Sequence, residues 1–180
     1  MLRYLKVTSP DISNGLGCRV TLWVAGCWHR CPGCHGQHTW DHNQGHSNLS
    51  ETLRLLDQEL KRPEIAGLTL SGGDPLTQDA DGLYDVLTII DWVHTHHPSK
   101  NIWLYSGYTY EEIMAKRYVD DPLRHILRQQ IVKKCDVWVD GRFEIDKKDL
   151  SLPFRGSFNQ RIIDVRQTLQ NGEVTLLEIE

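Results

Sequence analysis

The chain has 180 residues, a formal net charge of -4, 39% hydrophobic residues and 24% charged ones. This length suits one domain with a real core, the balance excludes wholesale disorder and fibrous repeats, and the net charge excludes a global basic field that would neutralise a nucleic-acid backbone. No run of about 18 apolar residues occurs, and the N-terminal MLRYLKVTSPDISNG has neither an apolar core nor a small-residue cleavage site, so a cytoplasmic protein with no nucleic-acid or membrane partner is expected.

Tyr4 to Thr8 and Arg19 to Ala25 are predicted strands, separated by the turn residues Pro10, Gly15 and Gly17. The second runs into a polar region from Trp28 to Asn48 with no sustained period, expected to be a loop holding at most one short helix. Leu53, Leu56 and Leu60 recur at helical spacing after Ser50, which serves as the expected N-cap, and Pro63 stops the run. Leu68 to Leu70 then reads as a short buried strand ending in Ser71-Gly72-Gly73-Asp74-Pro75.

Leu83, Val86, Leu87, Ile90 and Val93 form a second helical stripe, ended by Pro98, and Ile102 to Tyr105 is a strand closed by Gly107. Thr109 and Glu112 have capping-box spacing. A helix starting near Pro122 is expected to bury Leu123, Ile126, Leu127 and Ile131 ahead of a strand at Val137 to Val139. Arg161 to Val165 and Glu173 to Ile179 are candidate further strands, with Asn171-Gly172 as a hairpin turn. The alternation predicts an α/β fold with a mainly parallel sheet, whose ligand-binding loops follow the carboxyl ends of the strands.

Cys27, Cys31 and Cys34 present thiols from one loop, with Pro32 and Gly33 permitting a sharp bend. They can hold three corners of a four-iron cluster and leave the fourth iron open for a small molecule. Zinc is the competing reading, because His29, His35, His38, His42 and His46 lie nearby, although no second ligand pair follows elsewhere. A redox couple of Cys31 and Cys34 would leave Cys27 unexplained. Cys18 and Cys135 read as structural, as do Trp23, Trp92, Trp103 and Trp138, while His94, His96 and His97 close a helix where positive charge suits its dipole.

The cysteine spacing resembles the signature of the radical S-adenosylmethionine superfamily, and Gly72-Gly73-Asp74 looks like its Gly-Gly-Glu motif with Asp in place of Glu. Asp140-Gly141-Arg142-Phe143 and Arg155-Gly156-Ser157 followed by Asn159-Gln160 extend the likeness to the family of activating proteins of anaerobic ribonucleoside-triphosphate reductase. The resemblance implies one radical S-adenosylmethionine domain over residues 1–180, a partial, incompletely closed β/α barrel with its cluster-binding loop at 26–48. It implies one 4Fe-4S cluster on Cys27, Cys31 and Cys34, and S-adenosylmethionine as cosubstrate, met by Gly33, Cys34, His35, Gly72, Gly73 and Asp74. Ser106-Gly107-Tyr108 lines that pocket or forms a simple turn.

The implied reaction is reductive cleavage of S-adenosylmethionine and formation of a glycyl radical on the reductase's catalytic subunit, fed by an external electron donor such as flavodoxin, with no catalytic side chain beyond the cluster and cofactor site. An activator of another glycyl radical enzyme, of the formate-lyase type, would share the cluster and the cofactor and differ in its partner, whereas a zinc-binding interaction module would share none of the chemistry. The Asp140 to Phe143 and Arg155 to Gln160 segments either shape a docking region for the partner or are a turn and a solvated loop.

Overall fold

A computed structural model describes residues 1–114 and 121–179. Six strands form one sheet in the order β1 (Tyr4–Asp11), β2 (Cys18–Val24), β3 (Ile65–Gly72), β4 (Asn101–Ser106), β5 (Val137–Asp140) and β6 (Arg161–Asp164). The pairings from β2 to β5 are parallel, while β1 on β2 and β6 on β5 are antiparallel. The sheet is therefore mixed and open, with a parallel centre between two antiparallel edges. Strand direction at the edges depends on the connections: β1 meets β2 across a short loop, and the segment leading to β6 lacks the helix a parallel crossover needs.

Between the parallel strands lie α1 (Leu49–Leu60), α2 (Ala80–His96), the short α3 (Tyr110–Met114) and α4 (Pro122–Lys134). Sequential parallel strands joined by right-handed crossovers put all their helices on one face. That face carries Val20, Leu22 and Val24 of β2, Leu68 and Leu70 of β3, and Ile102 and Leu104 of β4, packed with Leu56, Leu60, Val86, Ile90, Leu127 and Ile131 of the helices. Each fully buried leucine here contributes roughly 1.5–3 kcal/mol. Alternation along β2, β3 and β4 turns Arg19, Thr21, Trp23, Thr69, Ser71, Trp103 and Tyr105 to the opposite, helix-free face, where Phe154, Leu177 and Ile179 cover Trp103, Val137 and Val139.

The helix starts follow local capping chemistry. Asn48, not Ser50, caps α1, because its side chain accepts from the Glu51 amide at 3.0 Å. The capping box at α3 forms in both directions, with Glu112 accepting from Thr109 N–H at 2.9 Å and Thr109 Oγ1 from Glu112 N–H at 3.3 Å. In α4 Pro122 opens the helix, and Leu127 and Ile131 are buried, but Leu123 and Ile126 are 47% and 50% exposed. The buried stripe of α4 is therefore narrower than the spacing predicts and runs through Leu127, Ile131 and Val132.

The C-terminal expectation needs the largest correction. Instead of a hairpin, α5 (Val165–Asn171) follows β6 directly, capped by Asp164, and Gly172 ends it in the left-handed conformation at φ 75°. Glu173 to Ile179 forms no strand; a single bridge joins Leu176 to Ile163. Among the described residues no helix is long and apolar enough to cross a membrane.

Candidate functional site

The cysteine loop leaves β2, the Gly72–Asp74 turn leaves β3 and Gly107 follows β4, so all three lie at the carboxyl ends of the parallel strands. Backbone hydrogen bonds weld them together: Gly73 N–H donates to the Val24 carbonyl and Asp74 N–H to the Gly26 carbonyl, both at 2.8 Å. Between them opens a cavity of about 270 Å³ on the helix-free face. Cys27, Cys31, Cys34, His35, Gly72, Gly73 and Asp74 line it, with Trp23, Ser71, Tyr105 and Val139 below. Trp23 is in register with Ser71, and Tyr105 with Val139, so these side chains form one layer under the rim.

Gly33 does not line the cavity; a Cβ there would stand 2.7 Å from Ile145 Cδ1, under the loop. The glycines of the second motif serve a purpose the sequence did not disclose. A Cβ on Gly72 would lie 2.6 Å from the Val24 carbonyl oxygen, and one on Gly73 2.3 Å from that of Gly26. The space they leave empty is filled by the main chain at the end of β2 and the start of the cysteine loop, and that contact closes the site's wall.

Asp74 is 1% exposed and committed to the wall. Its Oδ2 accepts from Ser106 Oγ at 2.9 Å and Gly107 N–H at 2.8 Å, and its Oδ1 accepts from Leu76 N–H at 2.8 Å. His29, between the first two cysteines, brings Nε2 to 3.0 Å from Asp74 Oδ2, close enough for attraction but outside good hydrogen-bond alignment. Arg142 Nε donates to His29 Nδ1 at 3.1 Å. A guanidinium only donates, so the imidazole proton of the neutral ring sits on Nε2, facing the carboxylate. The ring stands edge-on to Tyr108, centroids 4.7 Å apart, and bare Gly107 makes room for it. Sequence reasoning weighed His29 only as a zinc ligand; its role as a wall residue has no local signal.

All five cysteines are free thiols. Burial, reinforced by the Asp74 carboxylate, pushes the Cys27 thiol up to about 12. Burial also raises Cys31, opposed by the Phe143 amide, and the Gly36 amide donates to Cys34 Sγ at 3.3 Å. Cys135 is buried and donates to the Ile131 carbonyl at 3.3 Å, away from the cavity. Among the described residues no three Cys, His, Asp or Glu side chains converge on one point as a single ion requires. The three thiols instead spread around one cavity wall, an arrangement that suits a cluster whose irons occupy separate corners.

Comparison with known proteins bears on this donor set. A family model described as a 4Fe-4S single cluster domain matches residues 13–163. A protein of Vibrio cholerae is 40% identical over 163 residues, 89% of this chain and 97% of its own length. One of Salmonella typhi is 36% identical over 92% of this chain and its own full length, and one of Enterobacteria phage T4 is 35% identical over 89% and 93%. All three carry the name anaerobic ribonucleoside-triphosphate reductase-activating protein. The chain belongs to that family. The family match spans both the cysteine loop and the Asp140 to Gln160 region, so the two halves of the cavity wall lie within one shared unit of sequence.

Proposed function

We propose that this chain holds one 4Fe-4S cluster on Cys27, Cys31 and Cys34, reductively cleaves S-adenosylmethionine, and generates a glycyl radical on an anaerobic ribonucleoside-triphosphate reductase. The observation that carries the reading is the placing of three thiols and the Gly72–Asp74 turn around one cavity at the carboxyl ends of parallel strands. In this reading the open sheet is a partial radical S-adenosylmethionine barrel, and residues 1–180 work as one domain with a cluster loop at 26–48. The family membership names the partner, and an external one-electron donor of the flavodoxin kind supplies the reducing equivalent in a reducing, cytoplasmic setting.

When bound, the cluster supplies the open iron that chelates the methionyl amino and carboxylate groups and the electron that breaks the sulfonium bond to the 5′ carbon. The protein's own part is placement and exclusion. Cys34, His35 and the Gly72–Gly73 main chain meet the cosubstrate, and Asp74 acts from behind, anchoring the ends of β3 and β4 to the cysteine loop through His29. Trp23, Tyr105 and Val139 make the floor that shields the reacting carbon from water.

The test is anaerobic cluster reconstitution, reduction in the presence of S-adenosylmethionine, and measurement of 5′-deoxyadenosine together with the partner's radical signal. Both products are expected. Cleavage with no radical on the reductase would remove the partner assignment, and a colourless protein holding one tetrahedral zinc would remove the whole reading.

A further inference from the structure

The Gly141–Phe143 turn and the Arg155–Gln160 segment have no task in the cleavage chemistry, yet they are joined into one unit beside the cysteine loop. Asn159 Nδ2 donates to the Arg142 carbonyl at 2.7 Å, and Gln160 Nε2 donates to the Gly141 carbonyl at 3.0 Å. Gln160 Oε1 accepts from Gly156 N–H at 2.9 Å and Ser157 N–H at 3.2 Å, while Arg155 Nη1 donates to the Gln160 carbonyl at 3.0 Å. Two side-chain amides thus clamp the main chain of a turn whose Gly141 already sits at φ 96°.

The clamped turn presents the Arg142 guanidinium to the site. Arg142 reaches His29 Nδ1 at 3.1 Å and is steadied from its other side by Glu112 at 3.0 Å. Gly141, Phe143, Gly156 and Gln160 line the same cavity as the cysteines. Nearby positive charge favours the more negative, reduced state of an iron–sulfur centre, and outer contacts of this kind orient the groups around it.

We propose that the Gly141–Phe143 turn, clamped by Asn159 and Gln160, is a positioning and tuning element of the cluster site: it holds His29 in place, sets the Arg142 charge beside the cysteine loop and so raises the reduction potential of the centre the cysteines carry. The inference rests on the cluster reading above. It gives these two motifs a role distinct from a partner-docking surface.

The experiment compares wild type, Arg142→Gln and Asn159→Ala, each reconstituted anaerobically. Iron per chain, melting temperature, midpoint potential by dye-mediated titration and affinity for the reductase are measured. Both variants are expected to lower the midpoint, so that at a fixed applied potential the reduced-to-oxidised ratio falls about tenfold, equivalent to about 59 mV for one electron, while reductase affinity holds. Arg142→Lys, which keeps the charge, should recover part of the shift. Iron loss at an unchanged melting temperature supports the same role. Midpoints that do not move, or reductase binding that weakens while they stay put, overturn it. If Asn159→Ala unfolds, Arg142→Gln still decides, because that side chain is 45% exposed. A wild type without an iron–sulfur signal would overturn the cluster reading and this inference together; a normal wild type with unmoved variants overturns only the inference.

Discussion

Replacing Gly73 by Ala tests whether contact between the two motif loops builds the site. The new Cβ would lie 2.3 Å from the Gly26 carbonyl oxygen, 2.7 Å from its carbon and 2.9 Å from its nitrogen. All three are main-chain atoms and cannot rotate away. Reaching an ordinary contact of 3.4 Å needs a separation of about 1.1 Å, which breaks the Asp74 N–H bond to the same carbonyl, now 2.8 Å. Overpacking costs roughly 1–3 kcal/mol, and a buried donor left unpaired costs about 1–3 kcal/mol. A loss of about 2–6 kcal/mol follows, seen as a fall of about 4–24 °C in melting temperature for a chain of this size. Misplacing reacting groups by about 1 Å costs on the order of 100-fold in rate, so 5′-deoxyadenosine formation should fall at least that far. Gly36→Ala is the control, because its Cβ would meet nothing nearer than 3.4 Å. Urea unfolding of the cluster-free protein and cleavage by the reconstituted one are the assays. A Gly73→Ala variant as stable and as active as Gly36→Ala would refute the reasoning.

Alanine at Cys27, Cys31 or Cys34 should abolish cluster-dependent cleavage, measured as 5′-deoxyadenosine per iron, whereas Cys18→Ala and Cys135→Ala should keep most activity; equal losses in all five would contradict the ligand choice. Asp74→Asn sets an amide NH2 against donors on at least one side of a carboxylate that accepts from Ser106, Gly107 and Leu76. A destabilisation of roughly 2–4 kcal/mol is expected in urea, and an unchanged midpoint would show that Asp74 does not hold the wall. Arg161 keeps the Glu111 carboxyl below the usual range. A depressed folded pKa means that stability present above the unfolded value is lost as pH falls through the folded one. Glu111→Gln should therefore flatten the acid limb of a stability–pH curve by a small amount, under about 1 kcal/mol for so exposed a pair; an identical limb would discount the ion pair.

Where spacing was regular, local pattern and structure agree. The stripes through Leu53 to Leu60 and Leu83 to Val93 are α1 and α2, and the apolar runs at Leu68 and Ile102 are strands, because period and burial are written into neighbouring residues. Asn171-Gly172 misled, since a hairpin turn and a helix C-terminus both ask for positive φ, and only packing of Val165 against the core selected the helix.

The cysteine spacing, the Gly-Gly-Asp turn and the strand–helix alternation were decided by sequence alone, for each is a short-range pattern with its own chemistry. The direction of the edge strands, the burial of Asp74 and the meeting of His29 with Arg142, 113 positions apart, came only with tertiary structure. No local propensity encodes which distant loops a twisted sheet brings to one end, and the wall of this cavity is made by that convergence.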